Sequence, residues 1–160
     1  MPNKDWIFTD DKTVCHFRSA GVLIRNGKIL VQREKDGKEY ALPGGHVIVG
    51  ETGEASLIRE YKEETGADIV CNRLIWIEEN FYKWGERDAH NICFYYLISL
   101  TNNTDIPDNG EFVSQKDNYD ILLGWMPLEQ LDKVTIYPQY LPEKIHNIAD
   151  GVEHFVRRYN

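Results

Sequence analysis

Residues 42–66 read LPGGHVIVGETGEASLIREYKEETG, and the order of charges in this stretch decides how the rest of the chain is read. Five glutamates fall within it, and Glu60, Glu63 and Glu64 stand at i, i+3 and i+4 directly after Arg59. Thr52 is a suitable N-cap, Glu54 suits a first helical turn, and Gly66 sits where a left-handed residue closes a helix, so the spacing predicts a helix over 53–65. At about 100° per residue, Leu57, Ile58, Tyr61 and Thr65 form a packing stripe, and the three glutamates form an acidic stripe beside it. Each like-charge pair at that spacing costs about 0.2–0.5 kcal/mol on an exposed helix, so something should compensate. A divalent cation would do so, because carboxylate oxygens are the ligands Mg²⁺ or Mn²⁺ prefers, with water and phosphate oxygens in the remaining positions. The plainer alternative is a solvated face on which Arg59 and Lys62 partner the neighbouring acids.

Working outward, FRSAGVLIRNGKILVQRE places two apolar runs on either side of Asn26-Gly27, a hairpin signal that predicts strands over 17–25 and 28–34. Pro43 and the glycines after it end regular structure ahead of the helix. ADIVCNRLIWIEENFYKW and HNICFYYLISL are rich in β-branched and aromatic residues, and GERDA between them predicts a second hairpin. Residues 101–119 read as a long polar connection, and ILLGWM at 121–126 as a final strand. Leu141, Ile145, Ile148, Val152, Phe155 and Tyr159 recur at spacings of three and four, which predicts a closing helix from near Pro142.

With 160 residues, 42% hydrophobic and 28% charged, the chain is expected to form a single soluble domain, 1–160, with one ordinary core. A net charge of −8 would repel a nucleic acid polymer, although a single nucleotide could still bind through a metal ion. Neither a basic flank leading into an apolar run nor an apolar stretch of membrane-spanning length occurs, so no membrane association and a cytoplasmic location are expected. Cys15, Cys71 and Cys93 are an odd number without CxxC spacing and read as buried, inert thiols.

Gly45, Glu51, Arg59, Glu60, Glu63, Glu64 and Gly66 occupy every fixed position of G-x5-E-x7-R-E-U-x-E-E-x-G-U, where U is a bulky aliphatic residue. In this box, 45–67, the chain resembles the Nudix hydrolases. The likeness extends over about residues 17–135, through the preceding hairpin, the LPGG lead-in and GWMPLEQL. Two U positions depart from the pattern: Tyr61 replaces an aliphatic residue and Ala67 is small. Because Tyr61 stays on the packing stripe, a repacked helix face is expected.

The resemblance implies an α/β fold, an α/β/α sandwich around a mixed β-sheet, and Mg²⁺- or Mn²⁺-dependent hydrolysis of a phosphoanhydride bond in a nucleoside diphosphate linked to another group. It implies that Glu60, Glu63 and Glu64 ligate the metal together with the carbonyl of Gly45, and that Glu51 and Arg59 form an orienting pair. The general base is left between Glu63 and Glu60 inside the box and Glu111, Glu79 or Glu86 outside it. The proline that follows the box in ADP-ribose hydrolases is absent, NFYK standing in that region, and Tyr82 lies near a tyrosine position of dinucleoside polyphosphate hydrolases. A nucleoside triphosphate or a nucleotide sugar is the broadest fit for this small-molecule substrate. The alternative from another class is a non-catalytic, nucleotide-sensing module; such modules generally lose box glutamates, and all are present here. His46 reads as a strand side chain, and His90, His146 and His154 as ordinary. Trp76, Phe81, Tyr82 and Trp84 read as core before base-stacking residues. The atypical ends are where the surface for a homodimer would be sought.

Overall fold

The computed structural model describes residues 4–116 and 120–159. The chain begins with a short strand β1 (Ile7–Thr9) and the long β2 (Thr13–Arg25), then turns through Asn26 and Gly27, both at positive φ, into β3 (Lys28–Glu34). Two three-residue strands, β4 (Glu39–Ala41) and β5 (Gly44–His46), lead to helix α1 (Gly53–Thr65), followed by the hairpin of β6 (Ile69–Trp84) and β7 (Arg87–Leu100). The second half adds β8 (Glu111–Val113), β9 (Ile121–Pro127), a 3-10 helix (Leu128–Lys133), β10 (Thr135–Tyr137), the single turn α2 (Leu141–Lys144) and β11 (Glu153–Arg158).

These strands form one mixed sheet in the order β10-β4-β3-β2-β7-β6-β11. Adjacent residues point to opposite faces of a strand, and here each face has its own core. Leu23, Leu30, Tyr96 and Ile98 pack under Leu57 and Tyr61 of α1. Their chain neighbours Val22, Ile29 and Tyr95 pack with Trp76 under Leu131 of the 3-10 helix and Leu141 and Ile145 at α2. The result is the expected α/β/α sandwich, with one long helix on one side and short helical turns on the other.

Helix α1 has the predicted ends: Ala55 N–H donates to Thr52 Oγ1 at 3.0 Å, and Gly66 closes the helix at φ 76°. Tyr61 is fully buried, and Gly21 across from it makes the room, since a Cβ there would lie 3.0 Å from the Tyr61 hydroxyl. Ile58, expected in the packing stripe, is instead exposed, while Gly53, Ser56, Glu60 and Glu64 are buried. The buried face is therefore rotated toward the acids, and two of the three glutamates lie inside it.

The closing helix is not formed. α2 ends after Lys144, and β11 runs parallel to β6, pairing Glu153 with Trp76 and Arg158 with Phe81. Asn147, Asp150 and Gly151 interrupt the helical spacing, and β11 alternates half-buried with exposed residues, a period of two. Leu141 and Ile145 are buried as a helical reading expects, but Phe155 reaches the core from a strand, stacked on Tyr140 at 3.9 Å. Pairing with the edge of β6 satisfies backbone groups that a helix would have left open. For the same reason β9 is not the final strand.

The polar connection contains β8, and the Arg25 guanidinium holds it by donating to the carbonyls of Asn103 and Ile106 at 2.6 and 3.1 Å. Positions 117–119 of that connection, like 1–3 and 160 of the expected domain, lie outside the described residues. Among the cysteines only Cys93 is buried; Cys71 is half-buried and Cys15 exposed, because Cys15 lies on the stretch of β2 paired with the short, open β1. No described helix is long and apolar enough to cross a membrane.

Candidate active site

β5 pairs with β2, placing Gly45 opposite Ser19, and α1 crosses above it. A Cβ at Gly45 would sit 2.3 Å from the carboxyl carbon of Glu60 and 2.5 and 2.6 Å from its oxygens. The strand thus needs glycine here so that a carboxylate can lie directly on its backbone.

Arg59 answers the charge crowding. Its Nε donates to both Glu51 oxygens at 3.2 and 3.3 Å, and its Nη1 to Glu60 at 3.0 Å and to Glu63 at 3.4 Å. Nη2 reaches the His46 carbonyl at 3.4 Å. Glu51 is held in turn by the Ser56 hydroxyl, which donates to it at 2.6 Å and accepts from Ile48 N–H at 3.3 Å. A guanidinium suits this place because its rigid fork serves several carboxylates at once.

A second cation comes from the polar connection. Lys116 Nζ lies 2.8 Å from Glu60 Oε2 and 3.1 Å from Glu63 Oε2. Its segment is fixed to the end of α1, since Gln115 N–H donates to the Glu64 carbonyl at 2.8 Å. Burial pushes the Glu63 carboxyl up, but Lys116 and Arg59 outweigh this and hold it below its ordinary range. Glu64 has neither cation in contact. It is 9% exposed, and its Oε2 has no hydrogen-bond partner among the described residues. Burial, followed by the charge of Glu60, pushes its pKa up to about 8.

No three His, Cys, Asp or Glu side chains among the described residues stand in a ready metal-ligating cluster. Glu60 and Glu63 are instead turned toward Arg59 and Lys116. The donor set nevertheless suits a hard dication: three carboxylates from one helix, a strand backbone stripped of side chain beneath them, an orphaned buried oxygen on Glu64, and an ammonium bridging the other two acids.

Glu60 and Glu64 open onto a pocket of about 420 Å³ lined also by Gly45, Arg18, Gln32 and Lys116, with Glu63 outside its lining. Arg18 also lines a second recess of about 470 Å³ over β6 and β7, whose walls include Tyr82, Tyr137 and Tyr159. Of the glutamates outside the box, Glu111 is paired with Arg33 at 2.8 Å, Glu79 with His154 at 2.8 Å, and Glu86 lies in the turn between β6 and β7. None of them lines the acidic pocket.

His46 is a strand residue as read, yet it lines the acidic pocket and stands 3.2 Å from His16, which bonds the Tyr82 hydroxyl at 2.8 Å. Trp76 is core, whereas Tyr82 faces the recess and Trp84 is exposed. Sequence reading missed Arg18 and Lys116. Arg18 had a visible signal, a charge interrupting an apolar strand; Lys116 had none, because only the folding of the connection brings it to α1.

The family model of the NUDIX domain matches residues 16–145. An ADP-ribose pyrophosphatase of Methanocaldococcus jannaschii is 45% identical over 85 residues, which cover 50% of this chain and 48% of that protein. An RNA pyrophosphohydrolase of Erwinia tasmaniensis is 27% identical over 127 residues, 71% of this chain and 73% of that protein. The chain spans less than half the length of the Methanocaldococcus jannaschii protein and of a Bacillus subtilis relative it matches, 48% and 40% respectively. Among solved structures, a MutT protein from Bacillus halodurans superposes with a TM-score of 0.63 at 15% identity, covering 91% of this chain and 90% of that one. An ADP-ribose pyrophosphatase from Streptococcus suis gives 0.56 at 20% identity, covering 88% and 98%. At such identities these two structures speak for the fold.

Proposed function

The chain belongs to the Nudix family, and from that premise we propose that residues 1–160 form one hydrolase domain. It cleaves a phosphoanhydride bond in a nucleoside diphosphate linked to another group, with Mg²⁺ or Mn²⁺ as cofactor. Glu60, Glu63, Glu64 and the carbonyl of Gly45 would hold the ion. When bound, it supplies positive charge against the pyrophosphate and lowers the pKa of a water molecule. The observation that carries this reading is the bridging of Glu60 and Glu63 by the Lys116 ammonium beside the unpartnered Glu64 oxygen. The site is built for more positive charge than its own side chains deliver.

The chain's own residues divide the remaining work. Arg59 fixes Glu51, Glu60 and Glu63 relative to one another, which limits the rearrangement needed when the substrate arrives. Arg18, on the border between the acidic pocket and the larger recess, is positioned to neutralise a phosphate whose attached group lies in that recess. Glu79, Glu86 and Glu111 lie away from the pocket, whereas Glu60 lines it and Glu63 shares the contacts of Glu60 with Arg59 and Lys116, so the proton of the attacking water goes to one of these two α1 acids.

The test is a panel of nucleoside triphosphates, nucleotide sugars, ADP-ribose and dinucleoside polyphosphates, assayed for released phosphate groups with and without Mg²⁺. Turnover should require the ion, and Glu64→Gln should nearly abolish it. Equal turnover in that variant, or with a chelator present, would overturn the assignment.

A further inference from the structure

The recess over β6 and β7 has a floor unlike the rest of its sheet face. Alternation along β6 sends Trp76, Glu78, Asn80 and Tyr82 to one side, and register places Asn80 opposite Asn91 and Glu78 opposite Cys93. Where Trp76 continues into the apolar core, Glu78, Asn80 and Asn91 line the recess, with Tyr95 at its border with that core. They are 2%, 7% and 8% exposed.

Their hydrogen bonding is incomplete in one direction. Asn80 Nδ2 donates to Glu78 Oε1 at 2.6 Å, which fixes the Asn80 amide so that its oxygen is free to accept. Glu78 Oε2, Asn80 Oδ1 and Asn91 Oδ1 lack a partner at hydrogen-bonding distance among the described residues, although the Tyr95 hydroxyl lies 3.5 Å from Glu78 Oε1 and the Tyr140 hydroxyl also faces this carboxylate. A buried polar atom left unpaired costs about 1–3 kcal/mol, so the Asn80 and Asn91 oxygens, with the Glu78 carboxylate between them and the tyrosine hydroxyls, call for donors that a ligand in the recess can supply. The recess, about 470 Å³, falls within the range of about 300–1,000 Å³ usual for small-molecule sites. Tyr82, Tyr137 and Tyr159 offer ring surfaces at its walls for a planar group to lie against.

We propose that this recess holds a nucleobase by its N–H groups and that Glu78, Asn80 and Asn91 select guanine. Guanine carries N1–H and the N2 amino group side by side on one edge. Adenine and cytosine each present one amino group beside a ring-nitrogen acceptor, and the single N–H of uracil is flanked by two carbonyls that would face the protein's acceptors. The proposal rests on the reading of the acidic pocket as the place of the phosphoanhydride, because Arg18 joins the two cavities and puts a phosphate next to the base.

The experiment is calorimetric titration of the full chain with GMP, AMP, CMP, UMP and IMP in a chelating buffer, where no turnover intervenes. GMP should bind at least about tenfold more tightly than the other three common nucleotides. IMP, which lacks only the N2 amino group, should bind about tenfold more weakly than GMP, and this deletion on the ligand raises no question of folding. Asn91→Leu and Glu78→Gln should each erase most of the preference for GMP over IMP. Equal affinities, a preference for another base, IMP matching GMP, or no binding at millimolar concentration would each overturn the proposal. Metal-dependent turnover without a guanine preference would sink it and leave the hydrolase reading standing. Guanine-selective binding without turnover on any substrate would do the reverse.

Discussion

Replacing Glu64 by Gln should flatten the dependence of stability on pH in the metal-free protein. The folded state raises this carboxyl from its ordinary 4.5 to about 8, through burial first and the charge of Glu60 second. Between those two values the folded chain keeps a proton that the unfolded chain releases. The group's contribution is therefore fully present below about pH 4.5 and is lost as pH rises through about 8. At about 1.4 kcal/mol per pH unit, that interval sets an upper bound of about 5 kcal/mol. Relaxation and water penetration reduce such penalties, and about 2–3 kcal/mol is the expected effect. A glutamine amide does not ionise, so the variant escapes this loss, although its own unpaired group adds a roughly constant cost of about 1 kcal/mol. The diagnostic is the slope, read by urea unfolding of both proteins from pH 5 to pH 9 in a chelator. Stability of Glu64→Gln relative to the parent should climb by about 2–3 kcal/mol across that range. Parallel profiles would refute the burial argument. Adding Mn²⁺ should stabilise the parent more than the variant, because an ion that binds only the folded state adds its binding free energy.

Lys116→Ala removes the ammonium that bridges Glu60 and Glu63. Because Lys116 is half-exposed, the competing contact amounts to about 0.5–1 kcal/mol, and Mn²⁺ should bind about 2- to 5-fold more tightly in electron paramagnetic resonance titrations; weaker binding would mean the lysine assists the ion. Arg59→Lys keeps the charge but loses the fork that spans three carboxylates, so a loss of about 1–2 kcal/mol in urea unfolding is expected, against about 3 kcal/mol for Arg59→Ala. Losses below about 0.5 kcal/mol in both variants would reduce that contact to an ordinary surface pair.

What the sequence disclosed was local. The ends of α1 followed from Thr52 and Gly66, and the hairpin of β2 and β3 from Asn26-Gly27, because each signal acts within a few residues. The crowding of Glu60, Glu63 and Glu64 was equally visible. What stayed hidden depends on distant pairing. Phe155 and Tyr159 matched a helical stripe by position, yet the open edge of β6 drew that segment into the sheet. Ile58 went to the surface because Glu60 and Glu64 took the inward side of the helix, a choice that makes sense only with Gly45 beneath them. Lys116 reached the acids through a connection whose path no periodicity announces. Glu78, Asn80 and Asn91 were legible as polar breaks in apolar strands, but only the register of β6 on β7 reveals that they share one floor.

Parallel alignment of β2 with β7 joins segments as distant along the chain as Thr13 and Asp88, whereas β6 and β7 need only a tight turn to meet. Closing so large a loop is slow compared with zipping a hairpin. Until that seam forms, Arg18 borders only the acidic pocket, because the second recess takes its walls from β2, β6 and β7 together. The recess, unlike the acidic pocket, is consequently an attribute of the completed seam, and no single hairpin contains it.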